Sequence, residues 1–571
     1  MTQNAPVTAD HRATEQAHRQ WWRDAVVYQV YPRSFADSDG DGMGDLPGIT
    51  ARLPHIAELG ADAVWLSPFY TSPQNDGGYD VADYRDVDPR FGTLADADEL
   101  IARAHELGLK VIVDIVPNHS SSEHVLFKQA LAAAPGSPER EMYMFREGRG
   151  EHGELPPNNW QSIFHGDAWT RVTEADGTPG QWYLHLFDTT QPDFNWENPA
   201  VHELFADVLR FWLDRGADGF RVDVAHGMVK PEGLPDSPVD SEGMAVVPEG
   251  EVPVYFDNDG VHAIYREWRA ILDEYPGERM MVGEAWIPEA SMPKYVRPDE
   301  MHQVFNFGFL QSRWDVEALQ HAISEPLRLA DAVGAPTTWV LSNHDVIRHA
   351  TRYGFPPEHR FGEGLSRQEH PDAQLGLARA RAATLLMLAL PGSAYLYQGE
   401  ELGLPEVADI PDELREDPAH KRAGVPGRDG CRVPLPWEAD APAFGFSPSG
   451  ESWLPQPEVF GVLAADRQRG VEGSTLELYR EALRLRREMR LGAHRQGDDV
   501  TFVDGVPDGM LVLEHGPVSV VVNTTDAAVR LEDLPLPDGA CVVLSSASEP
   551  ADHTAVGPDT ALWLVGPGVS V

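Results

Sequence analysis

Cysteine is nearly absent from this sequence, in which only Cys431 and Cys541 occur among 571 residues. The two stand far apart, so free thiols in a reducing compartment are a simpler interpretation than a disulfide framework. Long hydrophobic runs are absent too, since no apolar stretch approaches the ~20 residues that span a bilayer. The first 20 residues are polar and lack the apolar core of a signal peptide. We therefore expect a cytoplasmic protein without a membrane anchor.

Positive charge is scarce as well. Lysine and arginine total 45 against 91 acidic residues, which gives a formal net charge of −46. Nucleic acid and anionic membrane surfaces would repel a chain of this charge. We expect neither as a partner and favour a small neutral substrate, bound by a monomer or a homodimer.

What the sequence does contain is an alternation of apolar strands and amphipathic helices. Eight stretches start with a near-continuous apolar run, which is typical of parallel strands covered on both faces. They are residues 25–35, 63–70, 110–119, 219–226, 280–286, 303–309, 337–345 and 394–403. Between the second and the third, Leu100, Ile101 and Ala104 fall on one face of a helix that Gly108 would end. Eight such βα units predict an α/β fold, the (β/α)8 TIM barrel.

Two connections are too long for simple loops, and the pattern changes near the C-terminus. Residues 120–190, after the third strand, are rich in Pro, Gly, Asn and Trp and predict an inserted subdomain. Residues 404–460 predict a long loop over the barrel mouth, and short alternating strands follow from about residue 497. We expect four parts: a disordered tail (1–20), a catalytic barrel (21–119 and 191–490), an inserted subdomain (120–190) and a C-terminal antiparallel β-sandwich (491–571).

Polar residues close the predicted strands at their C-terminal ends, where a barrel of this kind places its active site. Each strand begins apolar and then turns polar. The residues concerned are Asn118, His119, Arg221, Asp223, His226, Glu284, Asn343, His344 and Asp345. A hydrogen-bonded strand end would explain any one of them, but the repetition on several strands predicts a common site.

These residue types fit the cleavage of a glycosidic bond. Three carboxylates and the histidines His119 and His344 occur without a nucleophilic Ser or Cys motif, which suits a nucleophile and a general acid/base. Arg221 and Asp223 stand two apart on one strand face, so the guanidinium would keep Asp223 ionised. Glu284, two residues before the aromatic Trp286, could lie in a drier setting that raises its pKa. A metal site built from the two histidines and the acids is the alternative, although the histidines lack a compact ligand motif.

The segment 37–49, DSDGDGMGDLPGI, raises a separate question. Its spaced aspartates and Gly42 match the start of an EF-hand, in which oxygens at alternate positions surround a cation. An EF-hand would place a glutamate where Gly48 stands, and a strand-like stretch precedes the loop where a helix should be. The residues alone leave two interpretations, a cation site of another kind or an acidic turn.

The stretches DIVPNH, GFRVDVAH, EAW and SNHD occur in this order on four of the predicted strands. They resemble the four signature regions of the α-amylase superfamily, and most of all the α-glucosidase and oligo-1,6-glucosidase branch of glycoside hydrolase family 13. The resemblance extends over roughly residues 21 to 480 and includes NDGGYDVADY, QPDFNWENP and GRDGCRVPLPW. It implies an enzyme that acts on α-glucosides.

The resemblance also assigns roles to residues. It makes Asp223 the nucleophile, Glu284 the acid/base, and Asp345 the third carboxylate, which binds sugar hydroxyls and favours the distorted ring. Asp80 of GYD and Arg428 of the loop after the eighth strand would pair and close the pocket behind the non-reducing glucose, which makes an enzyme exo-acting. The other residues implied to line that pocket are Tyr79, His119, Phe164, Arg221 and His344.

For the segment 37–49, the resemblance implies one structural Ca²⁺ and not a sensor site. The implied ligands are the carboxylates of Asp37, Asp39, Asp41 and Asp45 and the backbone oxygen of Met43. Alternate residues would direct oxygens inward, and the glycines would allow the tight wrap.

These observations predict a cytoplasmic, retaining exo-α-glucosidase that releases glucose from the non-reducing ends of short malto-oligosaccharides. DVAHGMVK resembles actinobacterial α-1,4-acting glucosidases, although Val224 leans toward α-1,6 linkages. Two alternatives share the fold: an oligo-1,6-glucosidase and a transglucosylating relative such as a sucrose isomerase. A third is a non-catalytic amylase-like partner protein, but such proteins lack catalytic carboxylates and carry a membrane helix, unlike this sequence.

Overall fold

The computed structural model describes residues 20–174, 176–239, 252–356, 358–359, 362–493, 500–549 and 554–569. The predicted tail at 1–20 therefore lies outside the described residues except for Gln20. Of the helices described, none is long and apolar enough to cross a membrane.

Eight parallel strands form the centre of the molecule. Hydrogen bonds join them in the chain order 6-5-4-3-2-1-8-7, and each pairing is parallel. The sequence prediction of a (β/α)8 barrel is confirmed. The strands are Val26–Val30 (β1), Ala63–Leu66 (β2), Lys110–Ile115 (β3), Gly219–Val222 (β4), Met280–Gly283 (β5), Gln303–Val304 (β6), Thr338–Val340 (β7) and Ser393–Tyr397 (β8).

A side chain closes the barrel between β6 and β7. The Thr338 hydroxyl accepts the N–H of Asn306 at 3.0 Å and donates to the carbonyl of Val304 at 2.8 Å. The strand predicted over 303–309 is shorter than expected, because Asn306 caps a helix, Phe307–Gln311, by accepting the N–H of Phe309. A cap of this kind ends extended structure and starts a helix at the same residue.

Alternate residues of the strands belong to two apolar clusters. Tyr28 of β1 packs between the strands and the helices, whereas its neighbour Val27 packs inside the barrel. In β4, Phe220 belongs to the outer cluster. Because side chains alternate along a strand, the next residue, Arg221, faces the barrel interior.

Helices cover the outside of the barrel. Leu94–Glu106 shows why they form: a capping box between Thr93 and Asp96 starts it, and Leu100, Ile101 and Ala104 are buried on one face. The covering helices are Leu46–Leu59, Leu94–Glu106, Pro199–Asp214, Val261–Asp273, Met292–Tyr295, Val316–Asp331, Ala373–Leu388 and Thr475–Met489. Shorter helices are Val125–Ala132, His349–Arg352, Pro418–Ala423, Val459–Leu463 and Ala465–Gln468.

A small antiparallel sheet lies in the insertion that separates β3 from the helix Pro199–Asp214. Its strands are Phe145–Arg146, Pro179–Leu184 and Trp169–Thr173, with Pro179–Leu184 in the middle. A second ladder, Tyr70–Thr71 with Asp83–Val87, follows β2. An isolated bridge between His119 and Asp193 joins the end of β3 to the end of the insertion.

The C-terminal region is a five-stranded antiparallel sheet with a separate two-stranded ladder. The five strands run in the order Thr501–Phe502, Met510–His515, Val518–Asn523, Thr560–Val565 and Cys541–Ser545, and the ladder pairs Val529–Arg530 with Ala555–Val556. The sheet packs on the barrel helix Ala373–Leu388, where the Trp563 indole donates to the Leu385 carbonyl at 2.9 Å.

Candidate active site

The C-terminal ends of β4 and β5 bring two carboxylates together beside one arginine. Asp223 and Glu284 are the first residues after these strands, and their backbone N–H groups still bond to the adjoining strands, at Ile115 and Val222. Arg221 contacts Asp223 Oδ1 through Nη1 at 2.5 Å and lies 3.7 Å from Glu284 Oε2 through Nη2. The pairing predicted from the sequence is therefore present, and all three residues are buried.

A third acid, Asp114 near the C-terminal end of β3, also contacts the Arg221 guanidinium. Nη1 of Arg221 lies 3.1 and 3.2 Å from the two Asp114 oxygens. Oδ2 accepts further hydrogen bonds from the Tyr79 hydroxyl at 3.0 Å and the Trp65 indole at 3.2 Å. The sequence analysis missed this residue. Its signal was an aspartate inside an otherwise apolar strand, since a fully buried carboxylate needs partners.

Asp345 is held by cations of the segments around it. Arg428 Nη1 lies 2.9 Å and Arg432 Nη2 3.2 Å from Oδ1, and Nε2 of His344 lies 3.2 Å from Oδ2. Burial alone would raise the pKa of Asp345, but His344 and the arginines hold it well below its usual range. Asp345 is therefore ionised at neutral pH.

The charge states of Asp223 and Glu284 follow from their contacts. Burial raises the pKa of both groups, the nearby Asp345 raises them further, and Arg221 opposes the rise. One guanidinium cannot neutralise Asp114, Asp223 and Glu284 together, so the group retains a proton. The 2.5 Å contact to Arg221 favours the carboxylate at Asp223 and opposes the burial that raises the pKa of this group to about 8.

Val224, directly after Asp223, adopts the left-handed backbone region with φ 44°. A β-branched residue rarely occurs there, at a cost of about 1–3 kcal/mol. The conformation directs its N–H to Glu284 Oε2 at 2.7 Å, and the next N–H, of Ala225, bonds to the Glu284 carbonyl. The strain therefore fixes the orientation of the Glu284 carboxyl group.

His344 lies between two tyrosine rings. The Tyr79 ring stacks at 5.0 Å with an interplanar angle of 6°, and the Tyr31 ring at 5.9 Å with 19°. Nδ1 contacts the Gln29 amide at 2.7 Å, and burial lowers the pKa of His344 well below its usual value. Tyr79 thus packs against a protein ring and is only 5% exposed, so its part in sugar stacking stays a prediction.

His119 is held by side-chain amides at both ring nitrogens. Nδ1 lies 3.1 Å from Nδ2 of Asn118, and Nε2 lies 3.1 Å from Nε2 of Gln191. Burial lowers the pKa of His119 to about 4, so the ring is neutral. Asn118 is fixed in turn by Lys230, whose buried ammonium contacts Oδ1 at 2.8 Å and the Asp193 carboxylate at 2.8 Å.

Two other strand-end residues have structural contacts. Asn343 accepts the N–H of Asp345 at 2.8 Å and shapes the turn after β7. The His226 ring packs on Phe256 at 4.3 Å, and burial lowers its pKa to about 3. In the described contacts, neither side chain touches the carboxylate groups of Asp223, Glu284 or Asp345.

The predicted pair between Asp80 and Arg428 is wrong, because Arg428 pairs with Asp76. Nη2 of Arg428 lies 2.7 Å from Asp76 Oδ1. Asp80 is fully buried and accepts the Ser72 hydroxyl and the backbone N–H groups of Asn75 and Asp76. It folds the loop that presents Asp76, and burial raises its pKa to about 6.

Arg428 connects several segments around the carboxylates. Its Nε contacts Asp417 at 2.5 Å, which anchors the long loop after β8. Its Nη groups reach Asp76 after β2 and Asp345 after β7, and its guanidinium lies 4.9 Å from the Phe164 ring of the insertion. The loop, the insertion and two strand ends therefore meet at one side of the site.

The sequence matches the family described as alpha amylase, catalytic domain, over residues 29–494. The chain belongs to this alpha-amylase family. It is 40% identical to a probable alpha-glucosidase of Rhizobium meliloti (strain 1021) over 485 residues, covering 82% of this chain and 83% of that one. It is 34% identical to an oligo-1,6-glucosidase of Parageobacillus thermoglucosidasius, covering 82% and 84%.

Solved structures of the same fold include an alpha-glucosyl transfer enzyme and a trehalulose synthase. The alpha-glucosyl transfer enzyme XgtA superposes with a TM-score of 0.80 at 35% identity, covering 96% of this chain and 99% of that one. The trehalulose synthase MutB of Pseudomonas mesoacidophila MX-45 has a TM-score of 0.80 at 28% identity, covering 95% and 99%. The relatives named here do not test the predicted likeness to actinobacterial members of the alpha-amylase family, which stays a prediction.

The acidic loop of this alpha-amylase family member is a compact cluster of carboxylates. Oxygens of Asp37, Asp39 and Asp45 lie within 4.8 Å of one another. Asp37 accepts the N–H groups of residues 39, 40 and 42, and Asp45 caps the helix Leu46–Leu59. Asp41 accepts the N–H of Met43, and burial and the neighbouring aspartates raise its pKa. Oxygen donors of this kind suit a hard cation such as Ca²⁺.

Proposed function

We propose that the protein is a retaining, exo-acting α-glucosidase that releases α-glucose from the non-reducing ends of short malto-oligosaccharides. The observation that carries this proposal is the ionic bridge of Arg428 from Asp76 at 2.7 Å to Asp345 at 2.9 Å. Relatives named alpha-glucosidase and oligo-1,6-glucosidase support a glucoside substrate.

The bridge supports exo action because it lies where an open cleft would continue. Arg428 is buried, is anchored by Asp417, and has the Phe164 ring beneath it. A sugar beyond the terminal glucose would have to displace this ion pair. The same charged groups offer hydrogen-bond partners for the outer hydroxyls of that glucose.

The chemistry follows from the unequal environments of two carboxyl groups. Asp223, ionised by its contact with Arg221, would attack the anomeric carbon and form a glucosyl ester while the glycosidic bond breaks. Glu284, oriented by the Val224 N–H, would protonate the departing oxygen. Water would then enter, give its proton to Glu284 and release glucose with the α configuration. Asp345 would hold ring hydroxyls and favour the distorted ring.

We also propose one structural Ca²⁺ in the segment 37–49. The support is the convergence of three carboxylates, with Asp41 and the Met43 carbonyl on the same loop. Gly40 and Gly42 have φ values of 87° and 90°, which let the loop wrap tightly. When bound, the ion would neutralise this cluster and tie the loop to the helix that starts at Leu46. It supplies no step of the reaction.

Product analysis on maltopentaose tests exo action. We expect glucose and maltotetraose to appear first, and freshly released glucose to be the α anomer by proton NMR. Arg428→Ala should raise KM for maltose, because Asp76 and Asp345 lose a shared cation. Arg467→Ala, which removes an exposed pair with Asp440 from the same region, is the matched control. Early maltose and maltotriose, with no lead of glucose, would defeat the exo proposal.

Initial rates on maltose, isomaltose, sucrose, trehalose and starch separate this proposal from its relatives. The highest rate on maltose, with little on starch, fits an α-1,4-acting glucosidase. Isomaltose as the best substrate would identify an oligo-1,6-glucosidase. Sucrose converted into an isomer without free glucose would favour the chemistry named for the trehalulose synthase structure. No turnover of any substrate would return the protein to the non-catalytic alternative.

A further inference from the structure

A buried glutamine connects the two sides of the proposed glucose pocket. Gln191 lies at the end of the insertion and is fully buried. Its Nε2 lies 3.0 Å from Asp76 Oδ2 and 3.1 Å from His119 Nε2. One amide group therefore touches the acid of the Arg428 bridge and the histidine after β3.

The orientation of the Gln191 amide is fixed from its other end. Oε1 accepts the backbone N–H of Asp188 at 2.9 Å, so the NH₂ group must point to Asp76 and His119. A carboxylate can only accept, so one N–H of the amide donates to Asp76. The other faces Nε2 of His119, which accepts it in the tautomer that leaves this nitrogen unprotonated. One amide group thus faces both Asp76 and His119.

We infer that Gln191 is a positioning residue for the glucose pocket, which holds the Asp76 carboxylate and the His119 ring at a fixed position relative to each other. The inference rests on the proposed function, in which Asp76, through Arg428, and His119 face the terminal glucose. It extends the network from Asp417 and Arg428 through Asp76 to His119. A sugar that contacts both sides would find them at a fixed separation before it binds.

The amide also affects when Asp76 is charged. Burial raises the pKa of Asp76, Arg428 and Arg432 lower it, Asp417 raises it, and the Gln191 hydrogen bond lowers it. Asp80, on the same loop, adds a further nearby acid. Loss of the Gln191 donor therefore raises the pKa of Asp76. The ion pair with Arg428 needs the ionised Asp76 carboxylate. As pH falls, a variant without the Gln191 donor should therefore lose glucoside binding at a higher pH than the wild type.

Gln191→Glu is the sharpest test, because it keeps the shape of the side chain and an oxygen for the Asp188 N–H. It replaces the two donors by a carboxylate that faces Asp76. We expect KM for maltose to rise at least tenfold, kcat to change less than KM, and the acid limb of kcat/KM to move to higher pH. Gln191→Met, which removes the amide without adding charge, should raise KM with a smaller shift of the limb.

Gln181→Glu is the matched control. Its amide donates to the Glu147 carboxylate at 2.9 Å on the sheet of the insertion, so the same change again places two acids face to face. We expect wild-type KM and pH profile. If Gln191→Glu and Gln191→Met lowered only the melting temperature and left KM and the acid limb unchanged, the residue would be structural and the inference overturned. Should the glutamate variant not fold, the methionine variant decides. Failure of exo action is seen separately, in the wild-type products from maltopentaose.

Discussion

Asp223 and Glu284 are both buried acids beside Arg221, and the proposed function assigns them different roles. We expect Asp223→Ala and Glu284→Gln each to lower kcat by several orders of magnitude while thermal unfolding stays close to wild type. Added azide should restore part of the activity of Asp223→Ala by attacking in place of the missing carboxylate, with a β-glucosyl azide as product. A variant that kept more than a tenth of the wild-type rate would lose less than about 1.4 kcal/mol of transition-state stabilisation. Such a result would show that the catalytic assignment is wrong.

Asp114 gives a second prediction for a single residue, with a defined sign. Asp114→Asn removes a carboxyl group that shares Arg221 with Asp223 and is negatively charged above its own pKa, which burial raises to about 7. An anion beside a carboxyl group raises its pKa, so the substitution lowers the pKa of Asp223. Asp223 must be ionised to attack, and the acid limb of kcat/KM should therefore move to lower pH. The lost contact should also reduce kcat/KM roughly tenfold to a hundredfold, or about 1.4–2.7 kcal/mol. An unchanged acid limb would contradict this coupling.

The meeting of Asp223 and Glu284 beside Arg221 could be predicted from the sequence, because the strand ends of a barrel converge whatever the loops do. Asp76 could not be separated from Asp80 in the same way. Both lie in one loop, and only the hydrogen bonds of the folded loop turn Asp80 inward and leave Asp76 for Arg428. Gln191 was hidden for a similar reason, since nothing in a linear sequence places the end of the insertion beside β3.

At the level of elements, Asp218 connects the N-terminal ends of β3, β4 and β5. It precedes β4 and accepts the N–H of Val111 in β3 at 3.0 Å, with Lys110 at 3.0 Å and Arg279 at 2.8 Å. Asp218→Asn should destabilise the fold by about 3 kcal/mol in urea unfolding, because cations around a buried site lose their anion. Asp98→Asn, from an exposed pair with Arg215, should cost no more than about 1 kcal/mol.

The effect of Asp218 should depend on pH. Although burial raises it, hydrogen bonds from His105 and Val111 together with Lys110 lower the pKa of the folded state below its usual value. A depressed folded pKa contributes stability that is full above the unfolded value of about 3.9 and is lost as pH falls through the folded value. The difference between wild type and Asp218→Asn should therefore be constant near neutral pH and shrink in acid. A difference that grew in acid would contradict the assignment.

The acidic loop gives the next prediction for an element. Chelation should lower the melting temperature while specific activity at low temperature stays nearly constant, because no described hydrogen bond of the loop reaches Asp223 or Glu284. A free ion at 100 times its Kd would stabilise the fold by about 2.7 kcal/mol. Asp39→Asn alters an exposed member of the cluster. In this variant, chelator and Ca²⁺ should each change the melting temperature much less than in the wild type. Calcium titration without heat and with no change in melting temperature would exclude the site.

Most strands and helices could be predicted from the sequence, because the spacing of apolar residues directly reflects which face of a strand or helix is buried. The eight strand positions follow from apolar runs, and the helix after β2 follows from its stripe and its cap. β6 is the exception. Its two residues are too few to show an alternating pattern. The contact between β6 and β7 is made by the Thr338 side chain, which hydrophobic periodicity does not predict.

For the whole molecule, the C-terminal sheet is an integral support of the barrel. Trp563 is fully buried against the helix Ala373–Leu388. Trp563→Ala should destabilise the protein by about 3–5 kcal/mol, and Trp563→Phe by less, because the ring volume is largely kept. Activity, circular dichroism and tryptophan fluorescence should be lost at one urea concentration. Activity that survived the unfolding of the sheet would show that the two parts fold independently.

The crowding of acids around Arg221 has a consequence for molecules other than sugars. The three acids Asp114, Asp223 and Glu284 outnumber the one guanidinium among them, so a small protonated amine of glucose size would gain an ionic attraction that a neutral sugar does not. Amino alcohols used as buffers would compete for this space, and sugar mimics with a basic ring nitrogen would exploit it. The affinity for these amines should fall in acid, because protonation of Asp223 removes the negative charge that attracts them.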